Sequence, residues 1–150
     1  MQEGTVIGKD EAGLFHAVKT ARVTEEATNA ATSYKVAKGH HFKKGDFVMV
    51  KVGGKAYAVT GIDSSEATHD TITVGTTLGE AVKVGDALVE AKAQAASGAA
   101  FKYKPKAMTG DSYDVEALNN HFVTAVTIGQ FKGSVITAVS DDIKAALPNI

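Results

Sequence analysis

The apolar positions of this chain fall in short runs, and most of those runs have the spacing of strands. From Leu14 to Val23, the residues Phe15, Ala17, Ala21 and Val23 share one side at period two, with Lys19 interrupting, which predicts a first strand. Residues 24–33 are polar and Ala-rich without a helical stripe, and read as a loop, a short helix or an arm. Tyr34-Lys35-Val36-Ala37 predicts a short strand and Lys38-Gly39 a turn. Phe47–Val52 and Lys55–Ile62 are apolar runs on either side of Gly53-Gly54. Both glycines can take a positive φ, so the pattern predicts a hairpin closed by a type I′ turn. Thr71-Ile72-Thr73-Val74 is β-branched throughout, and residues 81–90 extend again.

Residues 91–100 are small throughout, and Ser97-Gly98 marks them as a linker. Met108-Thr109-Gly110-Asp111 reads as a turn, residues 115–120 as helix or loop, His121–Ile128 as a cleanly alternating strand, and Gly133–Val139 as its partner. Ser140 then predicts a helix cap, with Asp141 and Asp142 in a first turn whose dipole favours anions. Ile143, Ala146 and Leu147 recur at helical spacing before Pro148. The fold class expected is mainly β: a small β-barrel or sandwich of short antiparallel strands with a short C-terminal helix. Three segments are expected, an N-terminal strand and polar arm (1–33), a β-rich subdomain (34–98) and a C-terminal β segment with its helix (99–150), which one core could unite.

One motif occurs twice. Lys43-Lys44-Gly45-Asp46 and Lys83-Val84-Gly85-Asp86 share the order Lys-x-Gly-Asp and lead into Phe47-Val48 and Ala87-Leu88. The reading is a Gly turn whose Asp bonds nearby backbone amides as the chain enters a strand.

Composition sharpens the β reading and narrows the chemistry. Among 150 residues, seventeen Val and fifteen Thr stand against five Leu, with 15 Gly and 2 Pro. Much of the apolar fraction is Ala, so the core is thin per residue and support from neighbouring subunits is expected. Sixteen basic residues face 17 acidic ones, and Arg22 is the sole arginine, which argues against nucleic acid as a partner. The absence of Cys excludes disulfides and thiolate metal sites. No apolar run approaches the ~18 residues of a membrane-spanning helix, and Met1–Asp10 lacks the pattern of a signal peptide, so no membrane partner and no export are expected.

No catalytic, cofactor or metal residue is assigned. His40 and His41 are adjacent, and in an extended segment they point to opposite sides, which suits a turn or hydrogen-bonding role better than shared ligation. Asp63, Glu66 and Asp70 lack the alternating oxygens and sharp-turn Gly of a calcium loop. Ser64, Ser65, His69 and Asp70 contain the letters of a triad without a nucleophile elbow. Glu90-Ala91-Lys92 after a Gly-Asp turn faintly echoes biotinyl and lipoyl carrier domains, but without the Met that flanks the modified Lys.

The ordered run Tyr34-Lys35-Val36, Gly39-His40, Phe42-Lys43, Gly45-Asp46 resembles bacteriophage head-fibre or capsid-decoration proteins. Ile62-Asp63, Asp70–Val74, Leu78-Gly79, Asn119-Asn120, Val123–Val126 and Ile143–Pro148 extend the resemblance over most of the chain from Tyr34 onward. It implies a non-enzymatic β-rich accessory protein of the virion, made in the bacterial host cytoplasm. Its partners would be capsid proteins and copies of itself, a trimer among the assemblies allowed.

Two other classes stay open on the residues. A β-type module recognising a glycan or protein would use exposed Tyr34, Tyr57, Tyr103 and Tyr113, although tyrosines also commonly span core and solvent. A metal-dependent hydrolase would need His40, His69 and an Asp to converge. Lys102-Tyr103-Lys104-Pro105-Lys106 reads as a solvated loop that could meet an acidic partner.

Overall fold

The computed structural model describes residues 1–112, 114, 122–129, 138–147 and 149. The predicted elements at 115–120 and 133–137 lie outside them, as does His121, and of the strand expected over 121–128 only Ala125–Val126 forms. The chain is mainly β, as expected, in two antiparallel sheets with one short helix. The strands are β1 (Val6–Lys9), β2 (Phe15–Ala17), β3 (Thr20–Arg22), β4 (Ser33–Val36), β5 (Phe47–Met49), β6 (Ala56–Asp63), β7 (Asp70–Val74), β8 (Ala87–Ala91), β9 (Lys104–Thr109) and β10 (Ala125–Val126), followed by α1 (Asp141–Ala146). One sheet has the order β10-β9-β1-β2, the other β3-β8-β5-β6-β7-β4.

Two cores explain why some strands alternate and others do not. Ala21, Val23, Tyr34, Val36, Val48, Val59, Ile72, Val74 and Leu88 pack together inside the curl of the six-stranded sheet. Val6, Met49, Ala56, Val89, Ala91, Met108, Ile143 and Leu147 form a second core that joins this sheet to the four-stranded one and to α1. Neighbours Val48 and Met49, like Leu88 and Val89, point to opposite faces and so enter different cores. β5 and β8 are therefore apolar on both faces and read as continuous runs, whereas β7 faces a core on one side only and alternates. The second core draws on all three sequence segments.

The six-stranded sheet curls until its outer strands touch. A single bridge, Val23 to Val36, joins β3 and β4, with Ala37 N–H donating to Arg22 C=O at 2.8 Å. One bridge does not close a barrel, and the arrangement is sandwich-like.

The Lys-x-Gly-Asp motif forms the same turn twice. Gly45 and Gly85 have φ of 96° and 95°, which a side chain would strain. Asp46 Oδ2 accepts from Lys43 N–H at 2.7 Å, and Asp86 Oδ2 from Lys83 N–H at 2.8 Å. Each turn leads into one of the doubly buried strands. The C-terminal helix also forms as expected: Ser140 Oγ accepts from Ile143 N–H at 3.3 Å, and Ile143 and Leu147 fill the second core.

Four local expectations need correction. The predicted strand 14–23 is two strands in different sheets, because Val18 and Lys19 carry the chain across: Val18 N–H donates to Val6 C=O, and Lys19 C=O accepts from Glu90 N–H. The 47–62 hairpin forms, but its turn is not type I′. Only Gly53 has a positive φ (79°), and residues 50–55 connect Met49 to Ala56, with Gly53 N–H donating to Ala99 C=O at 2.7 Å. Lys104–Thr109 is a strand rather than a solvated loop and turn, with Pro105 buried opposite Gly8. Finally, β1 went unpredicted, since Gly8 breaks its short apolar run. Residues 91–100 are stitched in place by Ala95 pairing with Ala56 and by Gly98 N–H donating to Gly53 C=O at 2.8 Å.

Candidate functional site

The histidine and carboxylate candidates sit at the turn after β4 and the start of β7. The His40 side chain is buried, and its Nδ1 accepts from Phe42 N–H at 3.2 Å. Its Nε2 lies 3.2 Å from Asp70 Oδ2 but too far off line to form a hydrogen bond. His41 is exposed. Lys38 Nζ donates to Asp70 Oδ1 at 2.7 Å and to Ser64 C=O at 3.3 Å, tying the 64–70 connector to β4. The Lys38 ammonium holds the Asp70 carboxyl below the usual carboxylate range, against the opposing effect of burial. Burial pushes the His40 imidazole down, and the positive neighbours His41 and Lys38 add to this against the pull of Asp70.

The remaining letters of that cluster stabilise loops. Asp63 Oδ1 accepts from Ser65 N–H at 3.0 Å, Glu66 is exposed, and His69 hydrogen-bonds the Thr68 hydroxyl at 3.1 Å. Among the described residues, no group of three or more His, Asp or Glu is placed to hold a metal ion. Asp141 pairs with Lys144 at 3.0 Å, while Asp142 accepts from Val52 N–H at 2.7 Å and so clasps α1 to the 50–55 connection. Lys92 stands at the base of its loop, where its N–H donates to Ala100 C=O.

The tyrosines are not a set of exposed rings. Tyr34 is buried in the first core with its hydroxyl donating to Ala31 C=O at 3.0 Å, which corrects its placement among exposed candidates. Tyr57 is half-buried, and Tyr103 is half-buried with its ring stacked on His16 at 4.3 Å between centroids. Tyr113 lies outside the described residues.

A charged cluster that the sequence reading missed joins the two sheets. Glu90 is 1% exposed within β8, and its Oε1 meets Lys19 Nζ at 3.0 Å and Lys102 Nζ at 2.8 Å. Lys19 also donates to Asp46 Oδ2 at 2.7 Å. Burial pushes the Asp46 carboxyl up, but Lys19 and the Lys43 amide outweigh it and leave the group low. A signal existed: a lone Glu inside Ala87-Leu88-Val89-Glu90-Ala91, a run apolar enough to be buried on both faces, needs a cationic partner.

Beside β3 lies a cleft of about 380 Å³, lined by side chains including Lys19, Thr20, Arg22, Lys38, His40 and His41. Strand alternation sends Ala21 and Val23 into the first core and leaves Thr20 and Arg22 on the cleft side.

No helix among the described residues is long and apolar enough to cross a membrane. Compared with models of protein families, with curated proteins and with solved structures, the chain matches none.

Proposed function

We propose that this chain is a non-enzymatic structural protein of a bacteriophage virion, a head-fibre or decoration component that attaches to the capsid surface and assembles with copies of itself. The observation that carries the reading is where its chemically capable side chains are used. Asp46 and Asp86 close turns, Asp70 anchors Lys38, Glu90 joins the sheets through two lysines, and Asp142 clasps the helix. Residues of the family resemblance fall on the same framework: Tyr34 and Leu78 in the first core, Gly45-Asp46 in a turn, Leu147 in the second core. Such a molecule presents rigid surfaces. One is the β1–β2 tip, where Leu14 and Phe15 are exposed and Lys9 lies over the Phe15 ring at 4.9 Å.

The test is co-sedimentation with shells assembled from the major capsid protein encoded nearest to this chain. Saturable binding at a fixed ratio, weakened by L14A/F15A, is the expected result, with mass analysis in solution giving the number of copies. Failure to bind the shells, or a gene neighbourhood of metabolic enzymes, overturns the assignment.

A further inference from the structure

We propose that the cleft beside β3 is a binding site for a small oxyanion, a carboxylate or a phosphate, gripped by the Arg22 guanidinium. The inference is independent of the capsid role.

The cleft has the volume of a small-ligand site, and the residues lining it include no carboxylate among those described. Two of its cations are already neutralised, Lys19 by Asp46 and Glu90, and Lys38 by Asp70. Arg22 is not. The chain's sole arginine is exposed, and among the described residues its guanidinium has neither an ion pair nor a hydrogen bond. Two residues earlier on the same side of β3, Thr20 is 9% exposed and its hydroxyl also has no partner among the described residues.

A planar guanidinium fork beside a free hydroxyl matches the two-oxygen edge of a carboxylate or phosphate. The surroundings favour negative charge. Lys19 and Lys38 line the same cleft as Arg22, and none of the described residues lining it is acidic. The walls are also fixed: the Ala37 N–H bond to Arg22 C=O and the Val23–Val36 bridge hold the 37–41 turn against β3. A ligand entering here meets donors that need little rearrangement.

The test is an NMR titration of the full chain with inorganic phosphate and, separately, with citrate, each against sodium chloride at matched ionic strength. Saturable shifts at Thr20, the Arg22 Nε and His41 are expected. The affinity read from the Thr20 and His41 shifts should weaken roughly tenfold or more in R22Q, from loss of a charge-assisted hydrogen bond, and persist in K44Q, outside the cleft. R22K, which keeps the charge and loses the fork, is expected to fall between them. Saturation by phosphate alone assigns a phosphate ligand, by citrate alone a carboxylate, and by both a general oxyanion site. Shifts matching those in chloride, or surviving unchanged in R22Q, overturn the proposal.

Discussion

Lys19 and Glu90 hold each other twice. The Lys19 carbonyl accepts from the Glu90 N–H at 3.0 Å, and the Lys19 ammonium stands 3.0 Å from Glu90 Oε1. Lys19 lies where the chain crosses from the four-stranded sheet to the six-stranded one, so the paired contacts fix that crossing. E90A leaves Lys19 its Asp46 partner and Lys102 partly solvated, so the loss is that of the charge-assisted contacts to Glu90, and unfolding stability in urea denaturation is expected to fall by about 2 kcal/mol. K102A should cost about 1 kcal/mol or less, because Lys102 is partly solvated and Lys19 still neutralises Glu90.

The twin turns offer an internal control. Asp46 and Asp86 make the same bond to an amide three residues earlier, but Asp46 also accepts from Lys19 while Asp86 is exposed. Losing the shared bond in D86A is expected to cost about 1 kcal/mol. D46A should cost about 2–3 kcal/mol, since it also removes a charge-assisted partner from Lys19. Equal losses for the two variants, measured by chemical denaturation, would show that the Lys19 contact adds nothing.

What the sequence revealed depended on how local the cause was. The Lys-x-Gly-Asp turns and the Ser140 cap are contacts within three residues, and both were legible as such. The break in the 14–23 strand was not, because nothing in the sequence separates Val18 from Lys19, while their partners are Val6 of β1 and Glu90 of β8. Tyr34 reads as an amphipathic surface ring until the curl of the sheet encloses it. The cleft was invisible for the same reason: Arg22 and His41 meet only through the Val23–Val36 bridge.

Acid should weaken the fold in two stages. Burial, aided by His41 and Lys38, holds the folded His40 below its ordinary 6.5, so the unfolded chain takes up that proton first. The stability tied to neutral His40 is present above pH 6.5 and is lost as pH falls toward the lowered value. Asp70, held low by Lys38, and Asp46, held low by Lys19, support the fold above 3.8 and lose that support as pH falls through their lowered values. Urea midpoints measured from about pH 8 to about pH 3 should show both limbs. H40Q should flatten the upper one. D70N should steepen it, because the carboxylate that favours protonated His40 is gone, and should shrink the lower one.

Gly8 decides whether the four-stranded sheet can assemble. It lies in β1 opposite Pro105, beside a register shift, and a Cβ built there would come within 2.5 Å of the Lys104 carbonyl oxygen and 2.8 Å of the Tyr103 carbonyl carbon. Both obstacles are backbone, so no side-chain rotation relieves the clash. β9 would have to move away from β1, loosening Val6 and Met108 in the second core. G8A is therefore expected to cost about 3 kcal/mol or more, beyond the ~1–3 kcal/mol usual for overpacking, because hydrogen bonds of the ladder go with the contact. Hydrogen exchange should show where the loss falls: amides of β1 and β9 lose protection first, while those of β6 and β7 stay close to wild type. A G8A variant with unchanged midpoint and unchanged β9 protection would mean that the two strands do not approach as closely as their backbones lie here.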